Sequence, residues 1–189
     1  MFERWAMACA DHIKKSNPDE TEPHDILVFG FTIVINLLFT FLLALVLGAL
    51  LGVLALTLQV ILSFMLLRVL TGGAHLESSL ACSIASLFLI SAFVWLPVSP
   101  WLMYVYFIST IILIVLYAPY YEPHQVQHST EWERKKKYAA IGSVCMGMLI
   151  YLLFGQPGFV FGSLLQALLL TPASITLTYK LNTLINNGR

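Results

Sequence analysis

The sequence predicts an all-α polytopic membrane protein, with six transmembrane helices in three hairpins and an amphipathic helix at the amino terminus. Three observations predict this class. The 189 residues are 59% hydrophobic and only 11% charged, whereas soluble domains average about 25% charged. Three uncharged runs, at positions 26–67, 78–121 and 138–179, are each long enough for two spans of about 20 residues. A Gly- or Pro-containing turn divides each run, and backbone groups in lipid must be satisfied internally, as helices do.

The amino-terminal segment, residues 1–25, is polar and precedes a membrane domain over residues 26–189. Phe2, Trp5, Cys9 and Ile13 recur at helical spacing with charged residues between them, which is typical of an amphipathic helix in the headgroup region. The alternative is a frayed tail. Cys9 is expected to pack within the apolar face. We expect no removable signal peptide, because no short apolar stretch with a cleavage site occurs here.

The hairpin turns are predicted by clusters of Gly and Pro at Gly48–Gly52, Leu96–Pro100 and Gly155–Gly158. A few polar residues remain inside the spans, and we expect them to form interhelical hydrogen bonds rather than to bind substrate; they are Asn36, Gln59 and Gln166. Cys145 is expected to be an inert small hydrophobic residue in mid-span. Three widely spaced cysteines suggest no disulfide framework.

The positive charges predict the orientation. All 10 Lys and Arg residues lie outside the three turns, so the positive-inside rule places both termini and both charged connections in the cytoplasm. Trp95 and Trp101 flank the second turn, as interface anchors do. A net charge of zero gives no indication of nucleic-acid binding.

The connection 122–137 ends in the basic run Arg134–Lys137. One interpretation is a stop signal beside anionic lipid headgroups; the other is a cradle for an acidic peptide. His124 and His128 are four residues apart and could share a helix face for a metal, but Pro123 favours a solvated loop. We therefore expect no metal and no cofactor.

A polar cluster at positions 68–82 contains the candidate catalytic residues, His75 and Cys82. A thiolate attacks carbonyl carbons and needs a partner that takes its proton, most often His. On one straight helix these residues would be about 10.5 Å apart along the axis, but Gly72-Gly73 permits a turn that brings His75 back. Ser78 or Ser79 is a good N-cap, which places Cys82 near the positive end of a helix dipole. The alternative is a cysteine that only packs and a histidine that is an ordinary loop residue.

The cluster resembles the AgrB family, the multi-pass membrane cysteine endopeptidases of bacterial quorum sensing. The resemblance is carried by Arg68, by Gly72-Gly73-Ala74-His75 and by the gap to Cys82, and it extends to Tyr117-Ala118-Pro119 and the basic run. After Pro119 the chain departs from the more acidic family pattern.

The resemblance implies a bacterial cytoplasmic-membrane enzyme that acts on a ribosomal propeptide with an amphipathic leader and an acidic tail. Cys82 would cleave off the tail through a thioester, and a propeptide Cys or Ser would then close a thiolactone or lactone. His75 would act as general base and later acid. Backbone N–H groups near Gly73 or at the start of the third span would hold the oxyanion. The residues expected to contact substrate are Arg68, Gly72, Gly73, Glu77, Ser78, Ser79, Lys135, Lys136 and Lys137.

Several alternatives stay open at this point. Arg68 either binds a peptide carboxylate or anchors the second span at the headgroups, and either Glu77 or a serine orients His75. A homodimer is expected for so small a bundle. A peptide exporter and a non-catalytic membrane scaffold are the competing functions; the absence of ionisable residues from the predicted spans argues against ion-coupled export.

Overall fold

The computed structural model describes residues 2–17, 21–74, 76–121 and 129–187, and these segments are helical throughout apart from the connections. The predicted all-α membrane class is confirmed. The helices in chain order are α1 (Phe2–Ser16), α2 (His24–Leu50), α3 (Leu54–Thr71), α4 (Ser79–Phe93), α5 (Pro100–Tyr117), α6 (Thr130–Phe154), α7 (Gly158–Leu169) and α8 (Pro172–Asn187).

The three predicted turns are confirmed, and each has a local cause. Gly52, at a φ of 72°, follows α2, and Gly155, at 68°, ends α6; both are backbone conformations that glycine adopts without strain. Before α5, the Ser99 side chain accepts a hydrogen bond from Leu102 N–H, and Pro100 occupies the first helical position. Each of these turns reverses the chain, so that α2 and α3, α4 and α5, and α6 and α7 form hairpins. We call the end where α3 and α5 finish and α2, α4 and α6 begin the charged end.

The predicted count of six spans is not confirmed. Among the described residues, four helices are long and apolar enough to cross a membrane, namely α2, α3, α5 and α6, and α7 with α8 would make a fifth as a pair bent by 68°. The apolar helix α4 has only 15 residues. The prediction missed the break at Leu170-Thr171 because it did not use Pro172 as a helix-breaking signal, and the run 138–179 carries no charge. It also treated the basic run as part of a connection, whereas Arg134–Lys137 lies within α6.

Helix α7 is the centre of the bundle. Residues 160–167 are all buried, and a helix that is buried on every face needs close neighbours. A Cβ on Gly158 or Gly162 would collide with α3, in the second case with the Val60 carbonyl oxygen. These two glycines therefore let α3 and α7 approach closely, as small residues do in membrane helix pairs.

Helix α1 lies on α2 through small residues rather than large ones. Ala6 and Ala10 are fully buried, whereas Trp5 is 53% exposed and Cys9 is exposed. The expected packing of Cys9 is therefore wrong; alanines form the contact because only their short side chains allow the two helices to touch. An imidazole–carboxylate contact of 2.8 Å joins His24 to Asp11.

Candidate active site

Cys82 lies in the first turn of α4, as the sequence predicts. Ser78 is the N-cap; its hydroxyl accepts a hydrogen bond from Ala81 N–H at 3.5 Å, and its carbonyl accepts one from Cys82 N–H at 2.9 Å. Ser79 is the first helical residue. The Cys82 thiol is free and partly exposed. A sulfur anion at this position would face the positive end of the helix dipole.

The loop between α3 and α4, residues 72–78, is paired with the segment that follows α5. Gly73 N–H donates to the Tyr120 carbonyl at 3.1 Å, and Tyr120 N–H donates to the Thr71 carbonyl at 2.9 Å. Gly72 has a φ of 70°, and a Cβ there would overlap the Tyr120 carbonyl oxygen. The glycine pair is therefore needed both for the turn and for this close approach. His75 lies outside the described residues, so its position relative to Cys82 stays a prediction.

Arg68 points back onto the same loop. Its guanidinium Nη2 donates to the Ala74 carbonyl, and Nη1 occupies the space that a side chain on Gly73 would need. Neither sequence interpretation of Arg68, peptide binding or headgroup anchoring, included this contact. A charge-assisted hydrogen bond to a carbonyl contributes about 1.5–3 kcal/mol, so the arginine has a structural role whatever else it binds.

Gln166, on α7, approaches the loop from inside the bundle. Its side-chain amide Nε2 donates to Thr71 Oγ1 at 3.0 Å and to the Gly72 carbonyl at 2.8 Å. The predicted interhelical hydrogen bonding is thus confirmed for Gln166. It is also confirmed for Gln59 of α3, whose side-chain oxygen accepts a hydrogen bond from Gly158 N–H of α7 at 3.3 Å, at the opposite end. No sequence pattern indicates that Gln166 meets the glycine loop, since the two are far apart along the chain.

Helix α8 covers the loop from the outside. The Asn182 side-chain oxygen accepts a hydrogen bond from Glu77 N–H at 3.0 Å, and the Tyr179 and Tyr120 hydroxyls are 3.1 Å apart. Asn182 is only 7% exposed. Sequence reasoning missed both residues of α8, because the bend that brings them here was missed.

A second polar network holds the other face of α4, beside Cys82. The Ser83 hydroxyl donates to Asn36 Oδ1 at 2.6 Å and accepts from the Thr40 hydroxyl at 2.8 Å. Ser83 and Thr40 are both buried. The network fixes α4 against α2 within one residue of the candidate nucleophile, and it confirms the predicted interhelical role of Asn36.

The lysines of the basic run each have a contact within the chain. Lys135 pairs with Glu131 at 2.9 Å, Lys136 lies 5.9 Å from the centre of the Tyr121 ring, and Lys137 donates to a carbonyl at the end of α5 at 2.6 Å. Burial raises the pKa of Tyr121 above its ordinary value, and the Glu133 carboxylate raises it further. The start of α6 is therefore packed against the segment that follows α5.

Metal binding finds no support in the part of the chain that the structure describes. No group of three or more His, Cys, Asp or Glu side chains gathers there as a metal site would require. The histidine pair that the sequence offered as an alternative, His124 and His128, lies outside the described residues.

The fold and this loop define an integral membrane protein with a free cysteine in the first turn of a short apolar helix and a backbone-anchored loop beside it. Residues 6–175 match the family Accessory gene regulator B, AgrB. A curated AgrB-like protein of Halalkalibacterium halodurans is 44% identical over 191 residues, which cover 100% of this chain and 96% of that relative. No solved structure matches the chain. The chain belongs to the AgrB family, as its sequence motifs predicted.

Proposed function

We propose that this chain is a membrane-embedded cysteine endopeptidase that removes the carboxy-terminal tail of an autoinducer propeptide and promotes closure of a thiolactone or lactone. Membership of a family linked to propeptide processing supports the proposal. The observation that carries it is the position of Cys82, partly exposed in the first turn of α4 beside a loop whose backbone is held from several helices.

The chemistry proceeds in two acyl transfers. His75 takes the Cys82 thiol proton while the sulfur attacks the peptide carbonyl; the C–S bond forms, the C–N bond breaks, and His75 gives the proton to the departing amine of the tail. A Cys or Ser side chain within the propeptide then attacks the thioester, its proton passes to the Cys82 sulfur by way of His75, and the ring is released. Exclusion of water at the membrane boundary protects the thioester from hydrolysis.

The oxyanion is assigned to the start of α4 rather than to Gly73. Gly73 N–H already donates to the Tyr120 carbonyl, so it is not available to a tetrahedral intermediate. The N–H groups of Ser79 and Leu80 have no partner within the described part of the chain, as is usual in a helical first turn. They lie within one turn of Cys82 and would stabilise negative charge on the reacting oxygen.

Substrate binding is assigned to the charged end. The lysines at 135–137 would meet the acidic tail, with their present contacts exchanged or shared, and α1 would lie beside the amphipathic leader at the membrane surface. Glu77, Ser78, Ser79 and Arg68 line or hold the same loop. In this arrangement the charged end faces the cytoplasm of the bacterial cell, as the positive-inside rule requires, and two copies form a dimer.

Co-expression with a cognate propeptide tests the proposal. Cys82→Ala and His75→Ala should each abolish tail release, while Cys145→Ala, which removes a thiol from the exposed face of α6, should keep it. All three variants should insert in the membrane equally. Normal processing by Cys82→Ala would refute the proposal, and vesicle uptake of peptide by that same variant would identify an exporter.

Mass spectrometry distinguishes the enzyme from a scaffold. Incubation with propeptide should give a hydroxylamine-sensitive adduct on Cys82 that adds the mass of the tail-less propeptide acid minus one water. Binding of propeptide without any such adduct, in protein whose Cys82 is reduced, would indicate a non-catalytic partner protein.

A further inference from the structure

We propose that Gln166 is a positioning residue for the reaction described above: its side-chain amide holds the Gly72 carbonyl and so fixes the loop that leads to His75. The inference rests on the proposed function. It concerns a residue on α7, distant in sequence from the Gly-Gly-Ala-His motif.

The geometry directs both hydrogens of the amide at this loop. Gln166 is fully buried, and Nε2 reaches Gly72 O at 2.8 Å and Thr71 Oγ1 at 3.0 Å. The same nitrogen lies 3.6 Å from the place where a Cβ of Gly73 would stand. One amide group therefore sits under three consecutive residues, at the point where the chain leaves α3.

The side-chain oxygen of Gln166, in contrast to its nitrogen, is in an unfavourable environment. Gln166 Oε1 is buried and has no hydrogen-bond partner within the described residues. Burying an amide oxygen without a partner is unfavourable, so an apolar side chain of the same size would serve packing at least as well. The value of the glutamine therefore lies in its donor hydrogens, which point at the loop.

The frame that carries Gln166 is well fixed. It belongs to the fully buried stretch 160–167 of α7, and Gly158 and Gly162 lock that helix against α3. Because α7 is held rigidly, the Gln166 amide fixes the position of the Gly72 carbonyl relative to the bundle. It therefore also fixes that carbonyl relative to the start of α4. Displacement of a catalytic group by 1 Å can reduce a rate by about 100-fold.

The test compares Gln166→Met with Gln59→Met in proteoliposomes supplied with propeptide. Both changes replace the neutral amide of a span glutamine by an apolar thioether side chain of similar length, which has no N–H donor. Gln59 also joins α3 to the start of α7, through Gln156 and the Gly158 N–H at 3.3 Å, but at the end opposite Cys82. We expect Gln166→Met to lower kcat about 10- to 100-fold with little change in KM or in the thermal midpoint. Gln59→Met should keep kcat.

Gln166→Asn provides a second variant if the first inserts poorly. It keeps an amide on α7 but withdraws it by about 1.5 Å, one carbon–carbon bond, which breaks the contact with Gly72. A kcat equal to that of Gln59→Met in either folded variant would overturn the positioning role. So would a loss of activity that only follows a lower thermal midpoint. Neither result affects the proposed function, which depends on Cys82→Ala being inactive.

Discussion

Replacing Gly72 by Ala should abolish the proposed peptidase activity by distorting the backbone of the loop. Gly72 has a φ of 70° and a ψ of −145°, a region that residues other than glycine occupy at a cost of about 1–3 kcal/mol. The added Cβ would also overlap the Tyr120 carbonyl oxygen. That segment must then move away, and the two backbone hydrogen bonds between the segments contribute about 1 kcal/mol each.

The backbone strain and the two lost hydrogen bonds together disfavour the observed loop conformation by about 3–5 kcal/mol. Each 1.4 kcal/mol changes the equilibrium between loop conformations about tenfold. Propeptide cleavage should therefore fall by at least about 100-fold. Gly155→Ala is the matched control, because Gly155 also has a positive φ, of 68°, yet a Cβ there meets nothing within 4 Å. It bears only the backbone strain, about 1–2 kcal/mol, at the opposite end of the bundle.

Cleavage of propeptide by purified protein in liposomes measures the effect, and the alkylation rate of Cys82 measures the state of the loop independently. We expect Gly72→Ala to lose cleavage and to change its Cys82 alkylation rate, while Gly155→Ala resembles the wild type in both. Equal cleavage by the two variants would show that the pairing of Gly72 with Tyr120 does not support the site.

Three further predictions test other parts of the structure. Gly162→Ala should push α3 away from α7, which costs about 1–3 kcal/mol of stability and lowers the thermal midpoint in detergent. Gly142→Ala should leave the midpoint unchanged, because a Cβ at Gly142 meets only open space. Ser83→Ala should destabilise the bundle by about 1 kcal/mol, the usual size of an interhelical hydrogen bond in membranes, in chemical unfolding. Tyr121 should ionise above pH ~10, as measured by ultraviolet difference spectra against Tyr121→Phe. Glu133→Gln should lower the pKa of Tyr121 but leave it above its ordinary value, because burial is the larger cause of the shift. Since the folded-state pKa of Tyr121 is raised, its contribution to stability is intact below pH ~10 and is lost as the pH rises through the folded-state pKa. A difference in unfolding free energy between wild type and Tyr121→Phe that does not change with pH would contradict this.

The features that sequence reasoning recovered are those with local causes. The fold class follows from uncharged runs, the turns from glycine and proline, and the capped start of α4 from Ser78. In each case the signal and the structure involve the same continuous stretch of chain, and the physical reason is complete within that stretch. The motif that predicted the family is local in the same sense.

The features it missed depend on residues that are distant in sequence. The Gly72 turn was predictable, but its partner Tyr120 lies beyond two further helices. The break after α7 is the exception, because Thr171-Pro172 is a local helix-breaking signal that the prediction did not use; hydropathy alone could not separate one straight span from a bent pair. Gln166 was predicted to bond between helices, and nothing in its neighbourhood could show that the acceptor is the loop near the candidate nucleophile.

The loop has one property that only the assembled structure explains. Four hydrogen bonds from different parts of the bundle engage its backbone groups. Gln166 donates to the Gly72 carbonyl and Arg68 to the Ala74 carbonyl. The Gly73 N–H donates to the Tyr120 carbonyl and the Glu77 N–H to the Asn182 side chain. None of these bonds uses a side chain of the loop. A segment fixed through its backbone can keep its shape while its side chains contact substrate, which is what a catalytic loop requires. The same arrangement explains why the glycines matter: a carbonyl or N–H can be reached from several directions only where no Cβ stands in the way.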